Sequence, residues 1–165
     1  MPDVMEGRGT VETYESLLAA VSVEHGTPVI DPATGQAFAH APRATLDDLE
    51  QAILAARAAQ PEWAARTDEE RRAALSAAAD EVEASAEALA QLIAREQGKP
   101  LSGPGARFEV GAVVGWLRAT IATPLEPEVV VDDGQAKATV YYRPIGLVGA
   151  IGPWNWPAMI ATWQF

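Results

Sequence analysis

Cysteine is absent from this 165-residue chain, which excludes disulfides, thiolate metal sites and a cysteine nucleophile. Histidine is scarce: His25 and His40 stand apart, with no second ligand at metal spacing, and both read as surface or loop residues. Positive charge is outnumbered, with 12 Lys and Arg against 23 Asp and Glu, giving a formal net charge of −11. No basic patch is available to neutralise phosphates, so nucleic acid and anionic membrane are not expected as partners. No apolar run reaches the length of a membrane span, and the N-terminus has no basic-then-apolar leader pattern. The expectation is a soluble, cytoplasmic protein. Hydrophobic residues make up 48% of the chain, but much of that is alanine, so its capacity to build a core is smaller than the percentage suggests. The length suits one globular domain or part of a larger one.

What the chain does have is chiefly helical pattern. Val11, Tyr14, Leu17, Leu18 and Val21 lie at helical spacing and predict a short amphipathic helix. Val29-Ile30, the turn Asp31-Pro-Ala-Thr-Gly35 and Gln36-Ala-Phe-Ala predict a hairpin, with Gly35 free to take a positive φ. Thr45 with Asp48 three residues on marks a helix start; Leu46, Leu49, Ile53 and Ala56 share one face of a helix expected to run to about Ala59, before Pro61. Thr67-Asp-Glu-Glu70 is a second capping box, its acids suited to the positive helix end. From Asp68 the pattern stays helical to about Gln97, with a break near Ser85. Leu75, Ala79, Val82, Leu89, Leu92 and Ile93 mark its buried stripe. Gly98 and Pro100 terminate it, and the lone Lys99 is explained by the helix dipole. After the breaker Gly103-Pro-Gly105, a helix over about 106–121 carries a wide apolar face of Phe108, Val110, Val113, Val114 and Leu117. Glu109 falls in its first turn and is given no catalytic role.

Beyond Pro124 and Pro127 the period becomes alternating. Residues 128–131, the turn Asp132-Asp133-Gly134 and residues 137–143 predict a β-hairpin, with Val140 and Tyr142 on one face and Tyr141 and Arg143 on the other. The chain then reaches its most informative stretch, residues 143–157. The apolar run 147–151, bounded by Gly146 and Gly152, predicts a strand buried on both faces. Pro153 stops it, and Pro157 suits the first turn of a helix, where a missing N–H costs nothing. Trp154, Asn155 and Trp156 are thereby held at a turn. A carboxyl end of a strand is where ligands gather in open α/β sheets. On the residues alone, Trp156 and Trp163 read as core, and Asn155 is open between a turn residue and a site residue. Gly146, Gly149 and Gly152 are spaced by three and do not make the Gly-x-Gly-x-x-Gly pyrophosphate fingerprint; close strand packing and turn geometry explain them.

Pro144-Ile-Gly146-Leu-Val-Gly149-Ala-Ile151-Gly152-Pro153-Trp154-Asn155-Trp-Pro157 resembles, without a gap, the Pro-x-Gly-Val-Val-Gly-x-Ile-x-Pro-Trp-Asn-x-Pro segment of the NAD(P)-dependent aldehyde dehydrogenase superfamily. Asp31-Pro-Ala-Thr-Gly35 and Glu96-Gln-Gly98-Lys99-Pro100 are similar to two further family segments. The resemblance covers residues 29–165. It implies an incomplete α/β fold: the N-terminal helical part and first strand of a Rossmann-like cofactor-binding domain, plus a protruding β-hairpin. The implied divisions are 1–28 unassigned, 29–127 the first hairpin and helices, 128–143 the oligomerisation arm of a homo-oligomer, and 144–165 the first cofactor-domain strand, turn and helix start.

The same resemblance implies an oxidoreductase that oxidises an aldehyde to a carboxylic acid, with NAD or NADP as hydride acceptor. In the family, a Cys thiolate adds to the carbonyl, the tetrahedral oxyanion gives up hydride, and a Glu-activated water releases the acid. Asn155 would donate its side-chain amide to that oxyanion, a role its donor chemistry allows. Ile151, Gly152, Pro153 and Trp154 would line the nicotinamide-ribose end of the cofactor site, and no metal is implied. The family's Cys and general-base Glu cannot be placed on this chain, which is therefore expected to be an N-terminal fragment inactive by itself. Two other readings stand beside it: a shortened, non-catalytic protein that associates through its hairpin, and a helical scaffold in which Pro-Trp-Asn-Trp-Pro is only a rigid corner. Mixed with NAD+ or NADP+ and a panel of aldehydes, the isolated chain should give no rise in reduced-cofactor absorbance. A saturable rise that depends on this protein would contradict the fragment reading.

Overall fold

The computed structural model describes residues 12–123 and 125–164. Val11, Pro124 and Phe165, used in the sequence reading, lie outside them. In chain order the elements are α1 (Tyr14–Val21), β1 (Thr27–Ile30), β2 (Ala37–Ala41), α2 (Leu46–Ala65), α3 (Asp68–Ala84), α4 (Ala86–Gln97), α5 (Ala106–Ala122), β3 (Glu128–Asp132), β4 (Lys137–Val140) and α6 (Pro157–Thr162). The strands form two separate antiparallel pairs, β1 with β2 and β3 with β4. Among the described residues there is no parallel strand and no closed sheet.

Local chemistry sets the helix ends. Thr13, Thr45 and Thr67 each accept the N–H three residues on, and Ser16, Asp48 and Glu70 reach back to the cap N–H. Such a cap contributes about 1 kcal/mol. The backbone N–H and then the hydroxyl of Thr45 hold the Asp48 carboxyl below its ordinary range, and Thr67 does the same for Glu70. Gly98 closes α4 in the left-handed conformation at φ 66°. The loop that follows is pinned onto the start of α5, where the Ala106 N–H donates to the Pro100 carbonyl at 2.8 Å and Arg107 N–H to Leu101 at 3.2 Å. At the far end of α5, the Arg72 guanidinium from α3 donates to the carbonyls of Ile121 and Thr123. The first hairpin and α1 are tied to α4 by Arg95, which bonds the Tyr14 hydroxyl at 2.7 Å and Asp31 at 3.3 Å and lies 4.3 Å over the Phe38 ring.

The core lies where α3, α4, α5 and α6 meet. Ala90, Ile93, Ala106 and Val110 form one buried cluster, and Ala79, Val113 and Leu117 a second. Val82 and Ala158 pack against both. Small side chains let the helices approach closely but bury little area, as the alanine content foretold.

Several expectations are corrected. Helix α2 runs through Pro61 to Ala65 and does not stop near Ala59. The bond that Pro61 cannot make would fall on the carbonyl of Arg57, an exposed residue that water can serve. β4 ends at Val140, not Arg143; Tyr141 and Tyr142 are both exposed, so the two faces are not distinguished. His40 is not in a loop: it is a half-buried residue of β2 whose N–H bonds the Ser22 hydroxyl. The largest departure concerns 147–151, which form no strand, with Leu147 and Val148 about half exposed and Ile151 91% exposed. A strand exists only through a neighbour's hydrogen bonds, and no described residue supplies them. For the same reason Gly149 is not closely packed: a Cβ there would meet nothing within 4 Å.

Two glycines of the α5 region separate packing from propensity. A Cβ on Gly105 would lie 1.8 Å from the Pro100 carbonyl oxygen, while one on Gly111, on the exposed side of α5, would meet nothing. Gly105→Ala should cost about 1–3 kcal/mol or more by forcing the loop off α5. Gly111→Ala should stabilise by about 0.5–1 kcal/mol. Urea unfolding of the two variants checks both signs; equal shifts would show that the 100–106 closure is not formed.

Candidate active site

The site is built on a stretch that has no regular structure until Pro157 starts α6. α6 has six residues, too few to persist without tertiary support. That support comes from α5. Glu109, in the first turn of α5, is fully buried and is the largest such side chain among the described residues. One of its carboxylate oxygens accepts the N–H groups of Ala158 at 2.9 Å and Met159 at 3.3 Å. The other accepts from Lys99 Nζ at 2.6 Å. The same Nζ donates to the backbone carbonyl of Asn155 at 2.7 Å and lies 4.1 Å from the centroid of the Trp156 ring. Phe108 meets that ring edge-on, centroids 5.7 Å apart. Farther along, Trp163 packs on Trp116 and Gln164 Nε2 donates to the Ile151 carbonyl at 3.3 Å.

These contacts follow from local rules. The left-handed Gly98 reverses the chain at the end of α4, so Lys99 comes back over the start of α5. Glu109 shares the buried stripe of α5 with Val113 and Leu117, four and eight residues on. A carboxylate there is tolerated only with partners, and it has three donors. Lys99 is also mostly buried, 14% exposed, so the ion pair is shielded from salt and water.

The geometry changes the sequence account at Lys99 and adds a constraint at the turn. The dipole at the end of α4 does not explain Lys99, whose ammonium is engaged by Glu109, the Asn155 carbonyl and the Trp156 face. The helix start beside Asn155 is not free to attract an anion: Pro157 has no N–H, Ala158 and Met159 serve Glu109, and the Ile160 N–H bonds the Trp156 carbonyl. Sequence reasoning gave Glu109 no catalytic role and missed its link to Lys99. A signal was present, since a carboxylate on the i, i+4, i+8 apolar stripe requires a buried cation or donors.

Of the sequence-derived site residues, the structure brings Asn155 against Lys99 through its backbone, while its exposed side-chain amide bonds no described residue. Ile151 and Trp154 are open to solvent, the latter 84% exposed; Gly152 is exposed and Pro153 half-buried. These four fit the nicotinamide end of a dinucleotide in chemistry, being apolar or backbone, and offer nothing to its phosphates. Among the described residues no group of three His, Cys, Asp or Glu could hold a metal. A cavity of about 610 Å³ between α3 and α5 is lined mainly by apolar groups such as Leu75, Val82, Val113 and Leu117. Its rim charges Asp68 and Arg72 already pair with each other at 2.5 Å.

Glu109→Ala should remove the cap of α6 and leave Lys99 buried without its counter-ion. A loss of about 3–5 kcal/mol is expected, large against a usual domain stability of about 5–15 kcal/mol. Chemical denaturation measures it; a loss no larger than that of an exposed cap such as Thr45→Ala would mean that the buried pair is not formed.

The comparisons with known proteins can be set against this geometry. A model described as the aldehyde dehydrogenase family matches residues 19–165. It begins before residue 29, so residues 19–28, which the sequence reading left outside the resemblance, lie inside it. The chain is 37% identical over 139 residues to a 3,6-anhydro-alpha-L-galactose dehydrogenase of Streptomyces coelicolor, covering 82% of this chain and 28% of the relative. It is 39% identical over 129 residues to an N-succinylglutamate 5-semialdehyde dehydrogenase of Chromohalobacter salexigens, covering 77% of this chain and 26% of that protein. Among solved structures, it is similar to an NADP-dependent glyceraldehyde-3-phosphate dehydrogenase from Bacillus halodurans complexed with NADP. That likeness has a TM-score of 0.74 and 31% identity, over 82% of this chain and 30% of the other. The chain thus spans little more than a quarter of the curated relatives it matches. With a match that runs from the first hairpin through the Lys99 loop and Glu109 to the Pro-Trp-Asn turn, this chain belongs to the aldehyde dehydrogenase family.

Proposed function

We propose that residues 1–165 are the N-terminal part of an NAD(P)+-dependent dehydrogenase that oxidises an aldehyde to its acid, and that Asn155 is the donor to the oxyanion. The observation that carries this reading is a contrast within one residue. The backbone of Asn155 is held by Lys99, while its side-chain amide is exposed and has no partner among the described residues. A turn residue that used its amide to hold the turn would bring that amide back onto the chain. A donor for a transient negative charge must be fixed in place and unengaged.

In this reading the chain's own residues supply position and one neutral hydrogen-bond donor. When bound, NAD(P)+ accepts the hydride. Ile151, Gly152, Pro153 and Trp154 would hold the ring end of the cofactor, with Ile151 and Trp154 offering it exposed apolar surface. Asn155 carries no charge, so it donates to an oxyanion without forming a salt bridge with a thiolate nucleophile. The thiol and the general base belong to a part of the enzyme beyond these residues. The reading also includes a cytoplasmic homo-oligomer in which 128–143 is the association arm, 29–127 and 144–165 belong to the cofactor-binding domain, and 1–28 stays unassigned; Val129, Val130 and Val131 are all exposed, which supports a covered hairpin.

The test uses the full-length dehydrogenase that carries this segment. Asn155→Ala should lower kcat by about 10²–10³, or roughly 3–4 kcal/mol. Asn155→Asp should be at least as damaging, because a carboxylate cannot donate and repels the oxyanion. NAD(P)+ affinity should change little. If Asn155→Ala keeps kcat within a few-fold while the melting temperature falls, Asn155 is a structural turn residue.

A further inference from the structure

We infer that Lys99 and Glu109 are positioning residues for the Asn155 donor: an ion pair, Glu109 fully buried and Lys99 mostly so, that holds the Pro-Trp-Asn turn at Asn155 and on its C-terminal side. The inference rests on the proposed role of Asn155 and adds how that donor is held. Glu109 fixes the chain after Asn155, through the N–H groups of Ala158 and Met159. Lys99 fixes Asn155 itself through its carbonyl, and the next residue through the Trp156 ring. The two holds are joined at 2.6 Å, so Asn155 and the start of α6 do not move independently of each other.

The arrangement exceeds what packing alone needs. A short helix cap can be supplied by a neutral Ser or Thr, and a half-buried Trp needs no cation. Here two ions are desolvated, an arrangement that often contributes little net stability against apolar residues of the same volume. The pair does give direction. Lys99 has three N–H bonds; one is engaged by Glu109 and one by the Asn155 carbonyl, which orients the peptide that carries the donor. Since misplacement by about 1 Å can cost about 10²-fold in rate, a clamp of this kind acts on kcat. Neither side chain touches the reacting atoms in this account; both act through the turn.

Three variants of the full-length enzyme separate position from stability. Lys99→Met keeps an unbranched stem beside Trp156 and removes both hydrogen bonds. Lys99→Arg keeps a cation and two donors. The double variant Lys99→Met with Glu109→Gln removes both charges together and retains an oxygen to cap α6. We expect Lys99→Met to lose on the order of 10²-fold in kcat, with KM for aldehyde and NAD(P)+ changed by no more than about three-fold. Lys99→Arg should recover most of that loss. The double variant should regain melting temperature and not kcat.

A second readout needs no turnover. Asn155 is the sole asparagine in the 165 residues, so isotopic labelling of asparagine in this chain reports it alone. The native chain should give one sharp backbone amide signal, Lys99→Met a broadened or multiple one, and Lys99→Arg a single one again. If kcat follows melting temperature through all three variants, or if Lys99→Met leaves both kcat and the asparagine signal as in the native protein, the clamp is overturned. A harmless Asn155→Ala overturns the donor reading and the clamp with it. A damaging Asn155→Ala beside a harmless Lys99→Met overturns the clamp alone.

Discussion

A carboxylate buried in a core of alanines and valines is the constraint around which this structure is arranged. Glu109 is fully enclosed, and a lone ionised carboxylate at such a place would cost several kcal/mol. Its three donors come from two parts of the chain far apart in sequence, the loop after α4 and the start of α6. Satisfying one charge therefore folds three elements onto each other. The loop can deliver Lys99 only because Gly98 takes a left-handed φ and Gly105 lets the Pro100 carbonyl close onto the Ala106 N–H. α6 holds at six residues because its first free N–H groups end on that carboxylate and Ala158 packs into the core.

The parts of the fold legible in the sequence are those governed by contacts within a few residues. The Thr45–Asp48 and Thr67–Glu70 boxes, the break at Ser85, the stop at Gly98 and the Asp133-Gly134 turn all lie where the residues indicate. What failed depends on partners far along the chain. Residues 147–151 carry an apolar run of the kind buried strands use, yet a strand is a relation between segments, and the run alone cannot supply the other side. Pro61 misled for the opposite reason: a local prohibition was relaxed because the carbonyl it leaves free belongs to the exposed Arg57.

The candidate site divides along the same line. That Pro153 and Pro157 frame a turn, with Pro157 opening a helix, was visible from their fixed φ and missing N–H. Lys99 and Asn155 are 56 positions apart, and no pattern in either neighbourhood links them. Only Glu109 left a trace, as a charge standing on a stripe of buried apolar residues. Such a residue is better read as one end of an unseen contact than as framework.

The electrostatics of this clamp bear on why a neutral residue stands at the tip. Lys99 and Glu109 are opposite charges 2.6 Å apart, so away from the pair their fields offset one another. A single cation near the turn would stabilise an oxyanion but would also hold a thiolate in place by attraction. A single anion would oppose both. With the charges paired, and with the helix N–H groups committed to Glu109, the residue at the tip carries no charge of its own. In the proposed reading that is what the chemistry requires: a donor whose interaction strengthens only as negative charge develops on the substrate oxygen, held by groups whose charges act on the backbone and not on the reaction.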